Sequence, residues 1–221
     1  AEMLEMSHQL DLRAAGLSAD QKQKISLGRG LVRPDVSAVL FDEPLTVIDP
    51  HLKWQLRRKL KQIHHELKLT LVYVTHDQVE ALTFAEQVVV MTRGRAVQVG
   101  SASDLFERPQ HTFVGHFIGS PGMNFLPATL AAGAPAGATT LGVRPEYVSL
   151  AAPNAAGAVA GTVKAAQDIG TYWLLTAQVG DGQTVRARLS TEQAIPKVGD
   201  AVWLAIVGSH TCYYRNEELI A

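Results

Sequence analysis

The sequence has little with which to cross-link itself, to bind polyanions or to enter a membrane. A single cysteine, Cys212, among 221 residues excludes an internal disulfide and fits a reducing compartment. Twenty basic residues against 21 acidic ones give a formal charge of -1, so there is no basic footprint for nucleic acid or for an anionic lipid surface. No apolar run approaches the roughly 20 residues that span a bilayer. Ala1 to Leu12 lacks the basic start and apolar middle of a signal peptide, so a cytosolic chain is expected. What is present is 47% apolar residues, enough to bury one large core or two modest ones.

The most informative stretch is Ala38-Val39-Leu40-Phe41-Asp42-Glu43-Pro44, an apolar run that stops at two adjacent carboxylates and a proline. Such a run reads as a strand buried on both faces of a parallel sheet. Asp42 and Glu43 then sit where the strand leaves the sheet, the edge at which open α/β sheets bind ligands. Buried acids are costly unless paired or bound to a cation, so a packed core does not explain them. Thr70 to Val74 is a second such run, and it ends at Thr75-His76-Asp77. Adjacent parallel strands would bring His76 to the same edge as Asp42 and Glu43.

Around these strands the elements follow from spacing and caps. Met3, Leu4, Met6 and Leu10 read as the tail of an amphipathic helix, so the chain is expected to begin inside an element. Ser18 is placed as an N-cap ahead of a helix in which Ile25, Leu27 and Leu31 face a core, and Pro34 and Asp35 end it. Gly28 and Gly30 inside that helix each cost about 1 kcal/mol relative to Ala. Asp49-Pro50 starts a long helix with Leu52, Leu56, Leu60, Ile63 and Leu67 on one stripe. Lys53, Arg57, Arg58, Lys59 and Lys61 form its solvated face, and His64 and His65 favour the negative end of its dipole. A short helix through Val79 to Ala85, strands at Val88 to Met91 and Ala96 to Val99 around an Arg93-Gly94 turn, and helical pieces near Leu105 and Phe113 to Ile118 follow.

Composition shifts after Asn124. Residues 128 to 140 are mostly Ala, Gly, Thr and Pro and read as a linker or long loop. Beyond them come short β-like runs at Leu141 to Val143, Thr162 to Ala165, Tyr172 to Val179, Val185 to Leu189 and Ala201 to Val207. Gly180-Asp181-Gly182 is a hairpin signal, and a small antiparallel barrel or sandwich is the economical reading.

With these residues in view, the chain resembles the ATP-binding subunits of ABC importers, most closely those of the carbohydrate and glycerol-phosphate uptake group. Leu17 to Lys24 is similar to the signature motif Leu-Ser-Gly-Gly-Gln-Arg-Gln-Arg, Ala38 to Glu43 to the Walker B strand, Pro44 to Asp49 to the D-loop, and Val72 to Asp77 to the H-switch. Met123 to Pro127 and Gly142-Val143-Arg144-Pro145-Glu146 resemble the join to, and a strand of, the accessory barrel called TOBE. The resemblance implies an α/β part of a P-loop NTPase, a parallel sheet with helices, over residues 1–124, followed by a small all-β OB-like barrel over 125–221. It implies ATP and Mg²⁺ as cofactors, with Asp42 holding the metal, Glu43 polarising the attacking water and His76 contacting the γ-phosphate. Ser18, Ala19, Asp20 and Gln21 would face the ATP of an opposite subunit, and Asp49 would tune the contact between two active sites. The implied partners are a second nucleotide-binding subunit, two transmembrane permease subunits and, indirectly, a solute-binding protein, with the chain on the inner face of the cell membrane and no nucleic acid involved.

Two departures stand beside the agreements. No Gly-x-x-x-x-Gly-Lys-Ser/Thr occurs, so the phosphate-cradling loop is missing. The expectation is a carboxy-terminal half that is inactive when isolated. The signature glycines are replaced by Ala19 and Asp20, and a carboxylate at 20 would repel a γ-phosphate. Val47, Gly28 and Gly30 also depart from the pattern. These changes motivate an alternative, a non-catalytic, degenerate subunit or a regulatory and dimerisation module. Soluble ABC ATPases acting on ribosomes or DNA are disfavoured by the barrel and by the near-zero charge.

Overall fold

The computed structural model describes residues 2–4, 6–33, 36–46 and 48–221. Expectations that rest on Pro34, Asp35 and Val47, or on the side chains of Met3, Pro50 and Leu67, lie outside the described residues. The chain forms two compact units, Ala1–Glu86 and Gln87–Ala221.

In the first unit the N-terminal segment is not the tail of a helix. It forms short 3-10 turns at Glu2–Leu4 and Ser7–Gln9, which bury Leu4 and Met6 and leave Leu10 exposed. Helix α1 (Ala19–Leu31) is started by a complete capping box, in which Ser18 Oγ accepts from the Gln21 N–H at 3.2 Å and Gln21 Oε1 accepts from the Ser18 N–H at 2.8 Å. Leu27 and Leu31 are buried as expected, whereas Ile25 is exposed. Its glycines have a packing reason that spacing alone did not reveal. A Cβ on Gly28 would lie 2.9 Å from Leu4 Cδ1, and one on Gly30 would lie 3.3 Å from Val39 Cγ1, so the helix comes close to its neighbours at both points.

Strand β1 (Ala38–Asp42) pairs in parallel with β2 (Thr70–Val74), and helix α2 (Pro50–Leu67) makes the crossover between them. Leu56, Leu60 and Ile63 on α2 are buried with Val39 and Phe41 of β1, which explains the four-and-three spacing of that stripe. The expectation of burial on both faces is corrected here. Leu40 is 73% exposed and Val72 and Val74 lie on the same open face, because among the described residues the helices cover only the opposite one. His64 serves its helix end through a specific bond: its Nδ1 lies 2.6 Å from the Leu69 carbonyl, which ties the α2–β2 turn. Helix α3 (Gln78–Phe84) is capped by Asp77, whose Oδ1 accepts from the Glu80 N–H at 3.1 Å.

The second unit begins with the hairpin β3 (Val88–Thr92) and β4 (Arg95–Gly100), turned at Arg93 and Gly94, which both have positive φ. Helices α4 (Ala102–Glu107) and α5 (Thr112–Phe117) follow. Two antiparallel sheets complete the unit. One contains β5 (Asn124–Pro127), β6 (Thr140–Val143), β12 (Cys212–Arg215) and β13 (Glu218–Leu219), in the order β13-β12-β6-β5. The other contains β7 (Ser149–Ala151), β8 (Ala158–Asp168), β9 (Trp173–Val179), β10 (Gln183–Leu189) and β11 (Ala201–Ala205), in the order β10-β9-β8-β11-β7. Both contribute to one core, with Leu126, Leu141 and Val143 from the first and Val163, Leu175, Val185 and Leu204 from the second. The result is a curled antiparallel half-barrel, consistent with the OB-like expectation. Gly180 and Gly182 take positive φ in the tight β9–β10 turn, as the hairpin signal requires. Residues 128–139 are a loop joining paired strands, and Ala128 and Ala131 are buried in it.

The compact units divide after Glu86, earlier than the composition shift at Asn124. The reason lies in buried polar contacts that sequence patterning does not reveal. Arg144, 1% exposed, donates to the carbonyls of Leu105, Phe106 and Ile118, and Tyr214 donates to the Pro109 carbonyl at 2.9 Å. These bonds bind α4 and α5 to the strands that follow them.

Candidate functional site

The parallel pairing of β1 and β2 aligns their ends, with Asp42 opposite Val74. Each chain then leaves the sheet at the same edge, and the next residues on both sides are polar. Glu43 and His76 meet there, with Glu43 Oε1 2.6 Å from His76 Nδ1. The His76 backbone N–H donates to the same oxygen at 3.2 Å, and Thr46 Oγ1 donates to Glu43 Oε2 at 3.0 Å. With its other partner a carboxylate, Nδ1 carries the proton in this bond. The main chain at Glu43 is also unusual: its φ is 47°, a left-handed conformation that costs a non-glycine residue on the order of 1 kcal/mol or more.

The geometry of the pair favours its charged form. The hydrogen bond from His76 holds the Glu43 carboxyl below the ordinary carboxylate range. The same bond, and the Glu43 charge behind it, raise His76 above the ordinary imidazole value. Carboxylate and imidazolium therefore coexist between Glu43's lowered value and His76's raised one. The His76 side chain is 79% exposed and that of Glu43 37%, so the bond lies at the surface and open to a ligand.

Asp42 is exposed at the last position of β1. Among the described residues no group of three or more His, Cys, Asp or Glu could hold a metal ion. Asp42 offers one exposed carboxylate at the strand exit, a hard oxygen donor of the kind magnesium takes.

The other expected residues are placed in two further groups. Ser18, Ala19, Asp20 and Gln21 form the first turn of α1, and Asp20 pairs with Lys24 one turn on at 3.5 Å. Asp49 directly precedes α2, and its carbonyl accepts from the N–H groups of Leu52 and Lys53 at 2.9 and 3.0 Å. A link that sequence reasoning missed ties α1 to the strand exit: Gln23 Nε2 donates to the Pro44 carbonyl at 2.8 Å. A second missed residue is Glu80, whose buried carboxylate accepts from Tyr73, Thr75 and Lys53. An acid within the otherwise apolar Val79-Glu80-Ala81-Leu82 run was its only signal in the sequence. Lys53 is accordingly half-buried and paired, rather than part of a solvated face.

Comparison with known proteins places the chain in a family. The TOBE domain model matches residues 141–212. The sn-glycerol-3-phosphate import ATP-binding protein UgpC of Salmonella typhi is 38% identical over 226 residues, which cover 93% of this chain and 62% of that protein. The chain belongs to the ATP-binding protein family of ABC importers. Within that family, UgpC of Yersinia enterocolitica is 37% identical over 240 residues, covering 98% of this chain and 66% of the relative. An uncharacterized ABC transporter ATP-binding protein, y4oS of Sinorhizobium fredii, is 37% identical over 225 residues, covering 92% and 59%. The chain thus spans about three fifths of the length of these curated family members. Members of the family are ATPases, and among the described residues here no helix is long and apolar enough to cross a membrane.

Proposed function

We propose that this chain is the part of an ABC importer ATP-binding subunit that carries the signature helix, the Walker B strand, the D-loop and the H-switch, followed by a TOBE-type accessory barrel. In this reading residues 1–124 belong to a nucleotide-binding domain of P-loop NTPase type and residues 125–221 to the barrel. The observation that carries it is the 2.6 Å bond between Glu43 and His76 at the common exit of two adjacent parallel strands.

Magnesium, held in part by Asp42, would supply charge neutralisation to the nucleotide phosphates. Glu43 orients and polarises the attacking water through Oε2, which keeps accepting capacity beyond its bond to Thr46. A carboxylate held below its ordinary range is a weak proton acceptor, so its work is positioning and electrostatic stabilisation more than full deprotonation. His76, whose charged form Glu43 favours, presents its ring toward phosphate oxygens and registers their loss by returning to Glu43. Ser18, Ala19, Asp20 and Gln21, at the start of α1, face the nucleotide of a second copy, and Asp49 lies where two copies meet. Two permease subunits, a solute-binding protein and a place on the inner face of the membrane complete the assembly. The cargo in this reading is a sugar or glycerol phosphate, and the names of the relatives favour the latter.

A second reading, a non-catalytic subunit, is favoured by one observation. Asp20 places a carboxylate at the start of α1 and pairs it with Lys24, so the helix end already carries an anion of its own. A chimera decides between the two, in which the segment of Salmonella typhi UgpC that precedes its match is joined to this chain. Hydrolysis of ATP by the chimera, lowered about a hundredfold or more by Glu43→Gln, is the expected result. Equal turnover in the two proteins overturns the role of Glu43. A silent chimera that gains turnover with Ala19→Gly and Asp20→Gly establishes the second reading.

A further inference from the structure

We infer that Glu80, which touches neither the expected nucleotide nor the Glu43–His76 bond, is the residue that positions His76, by fastening both of its chain neighbours to helix α2. The inference deepens the proposed reading of His76 and Asp49 as site residues and rests on it.

Glu80 is 3% exposed, and a buried carboxylate is costly unless its charge is met. Here it is met from three elements. Oε2 accepts from the Tyr73 hydroxyl of β2 at 2.9 Å and from Thr75 Oγ1 at the strand exit at 3.0 Å. Oε1 lies 3.4 Å from Lys53 Nζ, on the first turn of α2. The Glu80 backbone N–H donates to Asp77 Oδ1 at 3.1 Å, and the Asp77 N–H donates to Thr75 Oγ1 at 3.0 Å. Residues 75 and 77 are therefore both held, directly and through each other, by one side chain and its own main chain.

What this does for His76 follows from its exposure. With 79% of its side chain open to solvent, the ring has almost no packing to fix it. Its aim depends on the main chain at 75–77 and on the bonds to Glu43. The Lys53 arm gives the arrangement a second consequence. Lys53 N–H is bonded to the Asp49 carbonyl, so Glu80 connects the strand end carrying His76 to the turn carrying Asp49. A shift of α2 at its first turn would reach His76 through two hydrogen-bonded side chains. Burial first, then the hydrogen bond to Glu80 and the charge behind it, push the Tyr73 hydroxyl above its ordinary range, so it stays a donor to Glu80.

The alternative is that Glu80 merely stabilises the first unit, and amide hydrogen exchange on the 221-residue chain separates the two. The His76 N–H, bonded to Glu43, reports the placement of the loop, while the amides of Leu60 and Ile63 in the middle of α2 report general stability. Glu80→Ala is expected to speed exchange at His76 about tenfold or more relative to Leu60 and Ile63. Glu80→Gln, whose amide oxygen still accepts from Tyr73 and Thr75, is expected to restore most of the protection. Thr75→Val, which leaves the acid and Lys53 in place, is expected to repeat the loss and decides the matter should Glu80→Ala not fold. Equal acceleration at all three amides, or none at His76 in Thr75→Val, overturns the inference. No nucleotide enters this experiment, so its failure is distinct from a failure of the hydrolysis test.

Discussion

The two units use their apolar residues differently. In the second, the strands obey alternation around a common interior: along β10, Val185, Ala187 and Leu189 are buried while Thr184 and Arg186 face outward. In the first, β1 is apolar on both faces and covered on one, so Val39 and Phe41 are buried while Leu40 is bare. The half-barrel has closed its own core. The parallel pair holds chemistry at its edge and carries apolar surface that its own helices do not cover. A strand's composition thus records the environment its sequence is suited to, even where the surrounding elements supply only part of it.

The sharpest way to break this comparison is to truncate one leucine in each unit. Leu204→Ala, at a position with 0% exposure, is expected to cost about 2–5 kcal/mol of the second unit's stability. Leu40→Ala is expected to change the first by no more than about 0.5 kcal/mol. Chemical denaturation followed by amide signals assigned to each unit gives both values, and equal losses would end the contrast.

A smaller effect sharpens it, because the two units share one local device. Ser18 and Ser101 both complete capping boxes, with Gln21 and Asp104 as reciprocal partners. Ser18→Ala and Ser101→Ala should each cost about 1 kcal/mol, read from the same signals. A cap worth much more in the first unit would mean that α1 depends on its first turn where α4 relies on packing.

The smallest effect is the pH dependence that Glu107 gives the second unit. Burial acts to raise Glu107, but the bonds from Tyr147 at 2.5 Å and His210 at 2.8 Å outweigh it, with Arg144 adding to them, and its carboxyl lies below the ordinary range. The same contact pushes the Tyr147 hydroxyl up to about 12. A depressed carboxyl contributes stability above its unfolded value and loses it as pH falls through its folded one. The second unit should therefore weaken in acid below the ordinary carboxylate range, and Glu107→Gln should flatten that slope. An unchanged acid limb in the variant would remove Glu107 from the account.

Much of the candidate site was legible because it is built from chain continuity. An apolar run that stops at Asp42-Glu43, another that stops at Thr75-His76-Asp77, and a helix-length stripe between them define a β-α-β crossover, and that crossover brings the two strand exits together. The N-cap at Ser18 was readable for the same local reason, and the structure adds Gln21 as its reciprocal partner. What was not legible depends on partners far apart in sequence. Glu80 reads as one acid in a short helix until Lys53 and Thr75 are seen beside it. Arg144 reads as part of a barrel-strand motif until its guanidinium is found among the carbonyls of α4 and α5, which is also why the unit boundary falls at 86 rather than 124. The first ten residues carry helical spacing, yet two short turns suffice to bury Leu4 and Met6.

The backbone at Glu43 limits what can replace it. Because the chain there curls in the sense that L-amino acids resist, the main chain sets where the side chain leaves the strand exit, and the bonds to His76 and Thr46 hold its carboxylate. Valine, isoleucine or threonine would crowd that curl, and glycine would release it and remove the acceptor, so asparagine, aspartate and the straight-chain glutamine are the residues that could stand at this position without redirecting the strand exit.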